Sequence, residues 1–118
     1  MYTSYFGNLR NVANPLSIAG KCPKWYTGPE FKILAPKWSF FTDYKQGLID
    51  ELEYGRQYKE LVLDPLNVIS TYSFLTQTYG DDVTLLCYEK PSEFCHRKIV
   101  AGWIEFNLGI RIKEIKKT

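Results

Sequence analysis

Residues 83 to 88, Val-Thr-Leu-Leu-Cys-Tyr, form a nearly unbroken apolar run directly after the turn-forming Gly80-Asp81-Asp82. A strand that is apolar on both faces is covered on both, the pattern of a central strand in a parallel sheet. The run therefore predicts a strand with neighbours on each side. Pro91-Ser92-Glu93 then opens a predicted helix, with Ser92 as its cap and Glu93 at the positive end of the helix dipole. Ile99, Val100, Trp103 and Ile104 make the apolar stripe of that helix, and Asn107 to Gly109 end it.

The rest of the chain is patterned in the same way. The β-branched and aromatic start, Met1 to Phe6, predicts a first strand that turns at Gly7. The run from Asn14 to Gly20 predicts a second. Residues 21 to 38 carry Pro23, Pro29, Pro36 and Gly28 and read as a long irregular segment rich in aromatics. From about Asp43 the spacing of Tyr44, Leu48, Ile49, Leu52 and Tyr58 turns helical, with Gly47 and Gly55 as weak points. Asp64-Pro65 looks like the cap and first turn of a helix running through Leu66, Ile69, Phe74 and Leu75 to Gly80. Ile110 to Ile115 alternates and reads as a last strand near an edge, with its Lys and Arg facing water. Strand, loop, helices, strand, helix, strand is an α/β plan: one small domain over residues 1–118, with a mostly parallel central sheet and helices on both faces.

Composition narrows the class. At 118 residues, with 45% apolar and 16% aromatic residues, the chain can build a real core. No apolar run approaches the roughly 20 residues that span a bilayer, which argues against a membrane partner. The first residues lack the basic and apolar regions of a signal peptide. Three cysteines without a secretory signal read as reduced thiols in a cytoplasmic protein. A net charge of +2 is too small to argue for nucleic acid. Lys37 to Lys45 interleaves lysines with aromatics, as base-stacking surfaces do, but burial of Trp38, Phe40 and Phe41 under the long loop is the plainer account.

Candidate chemistry gathers between residues 87 and 97, which hold Cys87, Cys95, the only histidine (His96) and Arg97. Ligands of open α/β sheets bind beyond the carboxyl ends of the strands, where loops meet helix N-termini. Cys87 lies at such a strand end, and Cys95 falls in the first turn of the predicted helix, where the dipole favours a thiolate. Cys95 and His96 precede Ile99 and Val100 by four residues, so both are expected to face the sheet. Arg97 is rotated off that stripe toward solvent. Each residue has a plainer reading: Cys87 as core, Cys95 as an inert thiol, His96 as a satisfied structural histidine, Arg97 as a surface cation.

A phosphatase-like cysteine–arginine loop fails on spacing. A zinc site from Cys22, Cys87, Cys95 and His96 suits the chemistry of sulfur and imidazole. Sequence spacing argues against any metal, because adjacent Cys95 and His96 rarely reach one ion and no CxxC pair exists. A direct Cys95–His96 pair meets a related obstacle, since helical neighbours diverge by about 100°. On the same predicted rim, Gly7 could allow close ligand approach, with Asn8 and Arg10 in contact, against the reading of a plain turn. Glu89, just past Cys87, could supply an acid.

The stretch Leu85-Leu86-Cys87-Tyr88-Glu89 followed by Cys95-His96-Arg97, read through to Ile104, resembles the signature of the domain of unknown function 488 family. The strand-loop-strand organisation fits its compact form, although the chain has Gly7-Asn8-Leu9-Arg10 where relatives often carry serine or histidine. The resemblance implies an α/β fold and a shared pocket, and names neither reaction nor cofactor. The leading expectation is a protein that binds an anionic small molecule, such as a nucleotide, at the Cys-His-Arg helix start. Cys95 would be its nucleophile or thiol, His96 its acid or base, and Arg97 its anion clamp, with Cys87, Glu89, Gly7, Asn8 and Arg10 around the ligand. The alternative is a non-catalytic, phage-encoded interaction protein that docks a protein partner through residues 21–45.

Overall fold

The computed structural model describes residues 1–117. Four strands form one sheet in the order β2-β3-β1-β4: β1 is Tyr2–Tyr5, β2 Pro15–Ser17, β3 Thr84–Cys87 and β4 Lys113–Glu114. Every pairing is parallel. Leu85 and Leu86 of β3 register with Thr3 and Ser4 of β1 on one side, and with Leu16 and Ser17 of β2 on the other. All four residues of β3 are buried, so the doubly apolar run occupies the interior position it predicted. β4 pairs with β1 over only two residues and forms the edge.

The two faces of the sheet are covered differently. Leu85 and Leu16 point into the larger core, against four helices: α1 (Trp38–Lys45), α2 (Glu51–Tyr58), α3 (Val68–Tyr79) and α4 (His96–Leu108). Phe40, Tyr54, Tyr58, Leu75, Val100 and Ile104 supply its helical side, and a fully buried side chain of this size contributes about 1.5–3 kcal/mol. Leu86 points the other way, onto Phe6, Val12, Ala19 and Tyr26. That second face is covered by a 3-10 turn, Phe6–Asn11, and by the proline-rich segment rather than by an α-helix.

The element boundaries show four departures from the pattern reading. Residues 37–45 are not loop: α1 begins at Trp38, because the prolines end at Pro36 and each later residue can donate a backbone hydrogen bond. Only Phe40 of its aromatics is fully buried, while Trp38 is 78% exposed. α1 and α2 are separate helices, divided at Gly47, whose φ of 77° suits glycine. α2 runs on through a π-type turn, Lys59–Leu63, so Asp64 ends that turn and caps no helix N-terminus. The N-cap of α3 is Asn67, whose side chain accepts from the Ser70 N–H at 2.9 Å.

The fourth departure shapes the site. α4 starts at His96, with Cys95 rather than Ser92 as its N-cap residue. Residues 91–95 form a turn instead. The Glu93 N–H bonds the Lys90 carbonyl at 2.9 Å, and the Lys98 ammonium donates to the carbonyls of Pro91 and Glu93. Phe94 is drawn into an aromatic cluster, 5.5 Å from the Tyr44 ring and 5.1 Å from the Tyr54 ring. That anchorage holds the chain extended through Cys95, at φ −153° and ψ 147°.

Candidate functional site

Beyond the carboxyl ends of β2 and β3 lies a cleft of about 650 Å³. Its walls are largely aromatic, from Trp38, Phe41 and Tyr44 of α1, Tyr54 of α2, Tyr88 and Phe94. Lys21, Lys45 and Glu89 are its charged members, and Cys87, Cys95 and His96 also line it. Cys87 is 1% exposed, Cys95 3% and His96 6%, so these three form a floor and not a surface patch.

The floor is built by an unusual junction. Cys95 is extended and His96 is the first helical residue, so their side chains do not diverge as two helical neighbours would. The Cys95 Sγ lies 3.8 Å from His96 Nδ1. His96 Nε2 lies 2.8 Å from the carbonyl of Ile18, which can only accept, so Nε2 carries the proton and Nδ1 keeps its lone pair. Burial lowers the His96 pKa to about 4, with the Ile18 hydrogen bond and Glu89 opposing and the nearby Arg97 charge adding to the fall. The ring is neutral at pH 7 and resists protonation, while its Nδ1 lone pair stays free to bind a metal.

The sulfurs of Cys87 and Cys95 are in bonding contact, as in a disulfide, and their Cα atoms stand 7.1 Å apart. This corrects the expectation of two separate free thiols: the sulfurs form a pair. The sulfurs and a ring nitrogen of His96 all lie within 4.8 Å of one another. Spacing along the chain argued against such convergence. It comes about because the chain straightens at Cys95 just before it coils.

Arg97 is not the solvent-facing cation expected. It is fully buried, behind the floor and outside the cleft lining. Its guanidinium forms a forked pair with Glu114, Nε to Oε1 at 3.1 Å and Nη2 to Oε2 at 2.9 Å. Nη1 donates to the Cys87 sulfur at 3.0 Å and to the Glu89 carbonyl at 2.7 Å. Arg97 therefore ties β3, α4 and β4 together and sets a guanidinium N–H against the Cys87 sulfur from behind. The alternation of Ile110 to Ile115 held the one clue to its partner, since Glu114 shares parity with the buried Ile112.

The first-strand group also lies outside the cleft. Asn8 is buried, donating to Ser4 Oγ at 3.2 Å and the Ile115 carbonyl at 3.0 Å, and accepting from Asn11 at 2.7 Å. Gly7 makes room for the Tyr5 ring, which a Cβ would meet at 3.0 Å. Gly7, Arg10, Asn11 and Lys117 line a separate hollow of about 210 Å³. Glu89 sits on the cleft, paired with Lys45 at 3.2 Å. Cys22 is a half-buried thiol near Ser17, away from the cluster. Sequence reasoning missed Lys21, Tyr44, Tyr54 and Phe94 as cleft residues, because no local pattern brings residues so far apart to one rim.

Among the described residues, no helix is long and apolar enough to cross a membrane. Searches of curated proteins and of solved structures each returned no match. A family model described as the active DUF488-N3 subclade matches residues 13–108, a span that takes in β2, all four helices, the cleft and its floor. On that match, the chain belongs to the DUF488 family.

Proposed function

We propose that the protein binds an anionic small molecule with a planar ring, of the nucleotide class, in the aromatic cleft above Cys87, Cys95 and His96. The observation that carries this reading is the combination of a deep aromatic cleft with sulfur and imidazole at its floor. Clefts of this volume hold small molecules, and aromatic walls suit a base or other flat ring. Lys21 on the cleft supplies the positive charge for an anionic group, since Lys45 is paired with Glu89 and Arg97 is too enclosed. The description of the matching subclade as active fits a site that presents chemistry to its ligand.

The test is calorimetric titration with nucleoside mono-, di- and triphosphates. A nucleotide should bind, and Trp38→Ala should weaken it by about 1–3 kcal/mol, the value of one base–aromatic stack. Lys21→Ala should also weaken binding, while Arg10→Ala, in the separate hollow, should leave it unchanged. If no nucleotide binds, or Trp38→Ala binds as tightly, the reading fails.

A second reading has its own observation. Trp25, Ile33 and Trp38, all within residues 21–45, are each more than half exposed. Exposed apolar side chains of this size suit a protein partner. That reading predicts loss of partner binding in Trp25→Ala, a residue outside the cleft lining.

A further inference from the structure

We propose that Cys87, Cys95 and His96 form a three-ligand transition-metal site, zinc in type, with its fourth position open to the cleft. The proposal stands on these three side chains and does not rest on what the cleft binds. All three are buried, and their sulfur and nitrogen atoms lie within 4.8 Å of one another.

The sulfurs are in bonding contact, yet the backbone spacing is wider than a disulfide's usual range and suits a shared ion once the pair is reduced. Disulfide-bonded cysteines place their Cα atoms about 4.4–6.8 Å apart, and cysteines more than about 7 Å apart cannot be bridged without backbone movement. Here the separation is 7.1 Å. Around a tetrahedral ion with bonds of about 2.3 Å to each sulfur, two sulfurs stand about 3.8 Å apart, which needs the wider spacing. The 3.8 Å between Cys95 Sγ and His96 Nδ1 is already close to a tetrahedral edge.

The surroundings complete the donor set. The Ile18 carbonyl holds the Nε2 proton, so Nδ1 faces the sulfurs unprotonated, the usual orientation of a metal-binding imidazole with its outer hydrogen bond. Charge also balances. Glu114 neutralises Arg97, which leaves two thiolates to neutralise one dication. The remaining Arg97 hydrogen bond, Nη1 to Cys87 Sγ at 3.0 Å, is of the kind that steadies a metal-bound thiolate. Soft thiolates and a neutral imidazole select zinc over magnesium or calcium. With three protein ligands and a face on the cleft, the ion would keep one position for water or a ligand group, as in catalytic rather than structural zinc sites.

The experiment uses the full chain, purified under reductant, stripped of metal and titrated with zinc and with cobalt(II). The expected result is saturable, stoichiometric zinc binding by mass spectrometry of metals, and a cobalt spectrum with thiolate charge-transfer and tetrahedral d–d bands. In denaturant just sufficient to let both buried thiols react in the metal-free reduced protein, added zinc should block alkylation of Cys87 and Cys95, but not of Cys22, in peptide maps. That readout assigns the ligands without a variant. Cys95→Ser and His96→Gln should lose the cobalt spectrum, and Cys22→Ser should keep it. The proposal is overturned if the reduced protein binds no stoichiometric metal, if alkylation is not blocked at Cys87 and Cys95, or if these cysteines remain disulfide-bonded under reductant.

Discussion

Arg97 carries the largest consequence of any single side chain in this fold. Its guanidinium is enclosed and its forked pair with Glu114 is the only charge compensation it has in the buried ion pairs described. Removing one partner of such a pair leaves an uncompensated charge, at a cost of about 3–5 kcal/mol. Arg97→Ala should therefore lower the unfolding free energy in urea by about that amount, seen as a lower midpoint, the opposite of the negligible effect expected of a surface arginine. An unchanged midpoint would show that Glu114 is not held by this pair. Tyr58 makes a smaller, independent case. It is fully buried with its hydroxyl donating to the Leu34 carbonyl at 2.5 Å, and burial raises its pKa well above that of a free phenol. Tyr58→Phe leaves that carbonyl without its partner and should cost about 1–3 kcal/mol in the same denaturation assay.

Helix starts decide the geometry at the level of elements. Two residues read as helix N-caps in the sequence, Asp64 and Ser92, and neither serves as one. Asn67 does so in place of Asp64, and Asp50 caps α2 by accepting from the Glu53 N–H at 2.9 Å. Loss of a side-chain cap costs about 1 kcal/mol. Asn67→Ala should therefore destabilise the protein by about that amount, whereas Ser92→Ala should stay within about 0.5 kcal/mol, as uninvolved surface changes do. Equal effects from the two would place the start of α4 back at Ser92. The difference matters for the site, because a helix begun at Ser92 would splay Cys95 and His96 apart. Phe94, anchored between Tyr44 and Tyr54, is what shifts the start to His96.

Across the whole molecule, stability should fall from the centre of the sheet to its edge. β3 pairs with strands on both sides and is buried throughout, while β4 holds by two residues. Amide exchange of Leu85 and Leu86 should require global unfolding, and Ile115, bonded to Thr3 beyond the short edge strand, should exchange through local opening. Comparable protection at both places would mean that the edge is as firmly held as the centre. The parallel sheet, its central strand and the helical segments were legible in residues 83–88 and in the apolar periodicities, because burial on two faces and amphipathic spacing are local properties of a sequence. That Cys87 ends a strand close to the start of the helix carrying Cys95 and His96 was legible too, since strand ends and helix starts share a rim in such folds, but the approach of their sulfurs and ring nitrogen was not. What local pattern does not hold is which of two caps wins, or where a buried charge finds its partner. Those outcomes were set by contacts between distant residues: Phe94 with Tyr44 and Tyr54, His96 with Ile18, and Arg97 with Glu114. Only the tertiary structure brings these groups together, and the low dielectric around them makes the energy of each pairing large enough to override the local preferences of the chain.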